Sequence, residues 1–122
     1  MPRLYPAFVL LAALALAAPA RAQPREQTVA DLAFAMGQSH ALRQLCQGAT
    51  DQYWRERMQR MTELEAPDPA DRPALTLRFN DGFLAGQRQY PHCTQQSRAA
   101  ERSAAARGQA LANLLARGMA QR

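Results

Sequence analysis

VADLAFAMGQSHALRQLC, residues 29–46, is the stretch whose reading decides the fold. At about 100° per residue, Val29, Leu32, Ala35, Met36, Ser39, Leu42 and Cys46 fall within about 150° of one another. That is the stripe of an amphipathic helix; the alternation of a strand is missing. Gly48 follows as a stop. The stretch also carries two features that a plain core helix lacks. His40, Arg43 and Cys46 sit within two turns, and Phe34, Ala41 and Leu45 form a second apolar stripe roughly opposite the first.

Downstream the pattern repeats three more times. Thr50 or Asp51 caps a second helix that runs to Ala66 with Trp54, Met58, Met61 and Leu64 inward. In APDPAD, Asp68 is an N-cap and Pro69 suits a first helical position. A third helix to about Tyr90 buries Leu75, Phe79, Phe83 and Tyr90, and Pro91 ends it. A fourth begins near Thr94, with Ala100, Ala104, Gly108, Leu111 and Leu115 in line. Short connections between helices predict antiparallel neighbours, so the expected fold is all-α, a four-helix up-down-up-down bundle.

Upstream, Arg3 precedes the apolar run Phe8–Ala18, and Ala20-Arg21-Ala22 follows it. This is the three-part pattern of a cleavable signal peptide, cut before Gln23. The run is shorter than the roughly 18–20 residues of a membrane span, so no stable span is expected after cleavage. The expected organisation is a signal peptide over 1–22, an extended segment over 23–28 and a helical domain over 29–120. Export to the periplasm follows.

That compartment bears on the two cysteines. Cys46 ends helix one and Cys93 follows helix three, points that share one end of an up-down-up-down bundle. In an oxidising compartment a Cys46–Cys93 disulfide is the expected outcome.

The 15 basic residues are all Arg against 10 acids, a net charge of +5 over the whole chain. After residue 22 the basic count is 13, leaving +3. The absence of Lys and Ile, with abundant Ala, reflects genome composition rather than selection for a polyanion. Arginine runs and aromatic interleaving are both missing, so nucleic acid is not an expected partner.

HALRQLC, DQYWRERMQRM, EAPDP, FNDGF and the Tyr90–Thr94 junction together resemble a family of small exported alphaproteobacterial proteins, domain of unknown function 2385. The resemblance spans roughly residues 29–118. It implies a signal sequence and the two cysteines, and no substrate, cofactor or catalytic residue.

Candidate sites are few. His40, Cys46, His92 and Cys93 lack the close ligand pairs of a structural zinc site, and no C-x-x-C is present, so neither metal nor cofactor is expected. No nucleophile elbow, zincin, phosphate-loop or dinucleotide signature occurs, which favours a non-enzymatic protein. Arg43 and Arg57 lie on apolar sides of their helices, and Arg107 at the inner edge of helix four. Such charges need partners. Either Asp51, Glu56 or helix carbonyls supply them, with the stems packed on Trp54 and Met58, or Arg43 and Arg57 fork around an anionic ligand beside His40. The candidate ligand residues are therefore His40, Arg43, Trp54 and Arg57. Gly82 and Gly86, four apart in helix three, predict a close approach to Ala100, Ala104 and Gly108 of helix four.

The leading expectation for function is protein association, with a partner or a second copy, through the second stripes: Phe34 and Leu45 on helix one, Leu77 and Leu84 on helix three. The alternative is a binder of an anionic small molecule or envelope glycan at the Arg43/Arg57 end.

Overall fold

A computed structural model describes residues 23–120, with side chains through 118. The expected signal peptide lies outside the described residues. Four helices make up the domain: α1 Arg25–Gln47, α2 Tyr53–Glu65, α3 Arg72–Gln89 and α4 Gln95–Ala120, with a 3-10 turn at Pro69–Asp71. No strand occurs among the described residues.

The boundaries follow local chemistry. Gly48 closes α1 at a φ of 101°, a conformation costly for other residues, and its N–H donates to the Gln44 carbonyl. Asp51 accepts from the Tyr53 N–H at the entry to α2. Asp68 accepts from Ala70 N–H, as expected of a cap, but it opens the 3-10 turn rather than α3 itself. At α4, Thr94 and Ser97 cap reciprocally: Ser97 N–H donates to Thr94 Oγ1 at 3.1 Å and Thr94 N–H to Ser97 Oγ at 2.8 Å. Serine here fills the place glutamate holds in the usual capping box.

The helices run up-down-up-down, but around an unequal centre. Helix α1 packs extensively on both α3 and α4, whereas neither α3 and α4 nor α2 and α4 approach within 8 Å between Cα atoms. The register is parallel along α1–α3, with Phe34 level with Gly82 and Ala41 level with Gly86. It is antiparallel along α1–α4, from Cys46 beside Ser97 to Arg25 beside Gly118. Helix α2 lies across α1 and is tied at both ends by ion pairs, Arg43–Asp51 at 3.0 Å and Arg25–Glu65 at 2.7 Å. Val29, Leu32, Ala33, Met58, Met61, Phe79 and Leu115 form the core.

Small residues set the α1–α3 distance. A Cβ on Gly37 would collide with the backbone carbonyl of Phe79, and one on Gly82 with that of Phe34. At Gly86 it would meet Ala41 Cβ at 2.9 Å. The expected partner of Gly82 and Gly86 was α4; the partner is α1, through the backbone of Phe34 and Gln38 and the Ala41 methyl. Helix α4 applies its own small residues to the other side of α1, where Gly108 faces Leu32 and Ala35.

Three further expectations need correcting. Residues 25–28 are helical rather than extended: Pro24 starts α1, Thr28 Oγ1 donates to its carbonyl, and Glu26 sits where the helix dipole favours an acid. Leu64 is 79% exposed instead of inward, because the α4 backbone stays more than 8 Å from that of α2 and leaves it uncovered. Arg107 is exposed and donates to Gln38 Oε1.

Cys46 and Cys93 form the disulfide, with Cα atoms 5.0 Å apart. It ties the C-terminal end of α1 to the α3–α4 junction, which the parallel α1–α3 register brings to the same end.

Candidate functional site

Of the four candidate ligand residues, the fold gathers three and removes one. His40 is 1% exposed and sits against Phe79 and Phe83, with ring centroids at 5.6 and 5.4 Å. Its Nδ1 is buried without a hydrogen-bond partner. Burial, reinforced by the positive charge of Arg55, lowers its pKa below the ordinary 6.5, with Asp51 opposing. His40 is thus a neutral core residue, remote in environment from any open ligand site.

Arg43, Trp54 and Arg57 converge on Tyr53. The Arg57 guanidinium carbon is 3.7 Å from the Tyr53 ring centroid and that of Arg43 is 4.6 Å from it, while Trp54 meets the same ring edge-on at 5.1 Å. Tyr53 was absent from the expected set. The signal for it was present, since Tyr53 and Arg57 are i and i+4 on one helix face.

The two arginines differ in how their charge is met. Arg43 Nε donates to both carboxylate oxygens of Asp51 at 3.0 Å, and its guanidinium lies 4.0 Å from Glu101. Burial alone would raise the Asp51 carboxyl. The hydrogen bonds from Arg43 and the Tyr53 N–H, with the Arg43 charge, outweigh burial and hold it below the ordinary 3.8. Gln44 Nε2 braces the same turn through the carbonyls of Ala49 and Asp51. Arg57 is half-buried and has no carboxylate within 4.0 Å among the described residues. Among the described residues its charge meets the π face of Tyr53 and, at 6.0 Å, that of Trp54.

Arg57 stands in the wall of a groove of about 440 Å³ between α2 and α4, floored by Leu32 and Met36 of α1. Trp54, Met61 and Leu64 line it from α2, and Gly108, Ala112 and Leu115 from α4. Trp54 Nε1 is buried without an acceptor. The groove lies where the α2 and α4 backbones stay more than 8 Å apart between Cα atoms. A second groove of about 540 Å³ separates α2 from α3, but its walls mix Arg55 and Arg72 with Glu63, Thr62 and Asn80, so it has no single charge preference.

The expected association surface divides. Ala41 is buried and Phe34 and Leu45 are half-buried: Phe34 lies against α3 with Arg78 over its ring at 4.9 Å, and Leu45 lines a cleft with Phe83 and Tyr90. The second stripe of α1 is therefore largely an internal interface. Leu77 and Leu84, at 63% and 46% exposed, remain on the outside of α3.

Among the described residues no helix is long and apolar enough to cross a membrane. No three His, Cys, Asp or Glu side chains cluster there in a way that could hold a metal. The model of one protein family, described as "Protein of unknown function (DUF2385)", matches residues 24–118. Neither the curated proteins nor the solved structures give a match.

Proposed function

The chain belongs to the DUF2385 family, and we propose that it is an exported, periplasmic module that works by binding rather than catalysis, taking a small anionic ligand at the Arg57 end of the α2–α4 groove. The observation that carries this reading is the contrast between the two arginines on Tyr53. Arg43 is neutralised by Asp51; Arg57, half-buried in a groove wall, is not. A guanidinium withdrawn from water without a counter-charge is costly, and a ligand oxyanion would supply one through charge-assisted hydrogen bonds. Export is supported by the signal-like N-terminus and by the disulfide, which persists in oxidising compartments.

Native mass spectrometry of the protein recovered from the periplasm tests both parts. The expected result is a small anionic species retained by the native chain and absent from Arg57→Gln. Recovery of the chain from the cytoplasm alone would sink the export reading.

A second reading, association through Leu77 and Leu84, is favoured by their exposure seven residues apart on one face of α3. Light scattering decides it: a mass that rises with concentration and falls to that of a monomer in Leu77→Glu would support association.

A further inference from the structure

We infer that the ligand of the α2–α4 groove is a single-chain amphiphile, a soluble fatty carboxylate, with its head at Arg57 and its chain laid along Met36, Met61 and Leu64. The inference rests on the anion-binding reading above and adds the chain.

The α2 wall of the groove changes character along its length. Tyr53, Trp54 and Arg57 cluster toward one end, and Met61 and Leu64 follow on the same face of α2 toward the other. The single acid in the lining, Glu65, is already paired with Arg25. Gln109 on the α4 wall donates to Asn113, whereas the Arg57 guanidinium faces no carboxylate within 4.0 Å and the buried Trp54 Nε1 has no acceptor among the described residues. A carboxylate at this end of the groove gives the Arg57 guanidinium the counter-charge it lacks.

From Tyr53 to Leu64 the groove runs about 16 Å at the α-helical rise, long enough to lay out an extended hydrocarbon chain beside α2. Leu64, 79% exposed at the far end, is the residue whose apolar surface such a chain would withdraw from water.

Trp54 is the sole tryptophan of the chain, so its fluorescence reports on the groove directly. The experiment titrates the protein with dodecanoate below its micellar concentration, beside dodecanol, acetate and phosphatidylglycerol vesicles. Dodecanoate is expected to give a saturable emission shift, with dodecanol and acetate each weaker by about tenfold or more. Arg57→Gln should weaken dodecanoate by about tenfold and leave dodecanol unchanged. Leu64→Glu, at an exposed position that the fold tolerates, should weaken both long-chain ligands; unchanged thermal melting confirms that it is folded.

Four outcomes overturn the inference. Acetate binding as tightly as dodecanoate removes the chain while leaving the anion site in place. Dodecanoate binding that ignores Arg57→Gln removes the anion site itself, and the proposed function with it. Binding to vesicles but not to soluble dodecanoate assigns the groove to a membrane surface. A dimer that Leu64→Glu converts to monomer shows a second copy in the groove.

Discussion

Helix α1 has two kinds of neighbour. Toward α3 its backbone is close enough that a single methyl group would collide with a carbonyl. Toward α2 it is held by ion pairs at the two ends, with grooves left open on both flanks. The difference lies in side-chain size. Gly37 lies on the backbone of Phe79 and Phe83, and Gly82 and Gly86 lie on Phe34, Gln38 and Ala41, so little separates those two helices. Helix α2 brings Trp54, Met58 and Met61, and bulky side chains on a short helix reach the core without closing the space beside it. Rigidity belongs to the small-residue seam, and room for a ligand to the large-residue flank.

The sharpest way to break this contrast is to fill the seam. Gly37→Leu forces α1 and α3 apart and is expected to cost more than about 4 kcal/mol, enough to unfold much of the population in a denaturant titration. Next comes the cross-link. Cys46→Ser with Cys93→Ser should lower stability by about 4 kcal/mol in the chain-entropy model, read as a shift of the urea midpoint with little change in helicity before the transition. On the α2 side the effects should be smaller. Arg43→Met, which strands the Asp51 carboxylate in a part-buried site, should cost about 1–2 kcal/mol by thermal melting.

A pH series sharpens the same comparison. The folded pKa of His40 lies below 6.5, so the unfolded chain takes up the proton first. Stability is therefore full above about pH 6.5 and falls as the pH drops toward the folded value. His40→Leu should flatten the fall of the melting temperature below about pH 6.5. Asp51 acts lower: its contribution is present above about pH 4 and is lost as pH falls through its depressed folded pKa. The smallest effect is expected at Leu64→Gln, within about 0.5 kcal/mol, because that side chain packs on little.

Helix number, order and direction were legible because each helix carries its own period and its own stop, and the disulfide followed from which ends the topology brings together. The partner of the glycine pair was not legible. Gly82 and Gly86 announce a close approach, but two helices offer small residues at matching intervals, and the sequence does not rank them. The double stripe of α1 held the answer: a helix with apolar residues on both sides and small ones at 33, 37 and 41 is a hub between two neighbours. Among the site residues, Arg43 was readable with Asp51 as its partner because both flank one short turn. Arg57 was readable as a charge on an apolar side, but the groove beside it was not, since an open space arises from the distance between α2 and α4, and no residue type encodes that distance alone.

The parallel seam has a kinetic consequence. Helices α1 and α3 cannot meet until the whole of α2 has been passed over, so the tightest contacts in the molecule are also non-local ones, of the kind that slows folding. The disulfide spans 47 residues, about the same separation as the seam contacts, and it sits at the end of that seam. Once oxidised, it has already brought α1 and the end of α3 within reach, and the remaining search is short. The oxidised chain should therefore refold faster than the reduced one, with the gain in the folding rate rather than in slower unfolding.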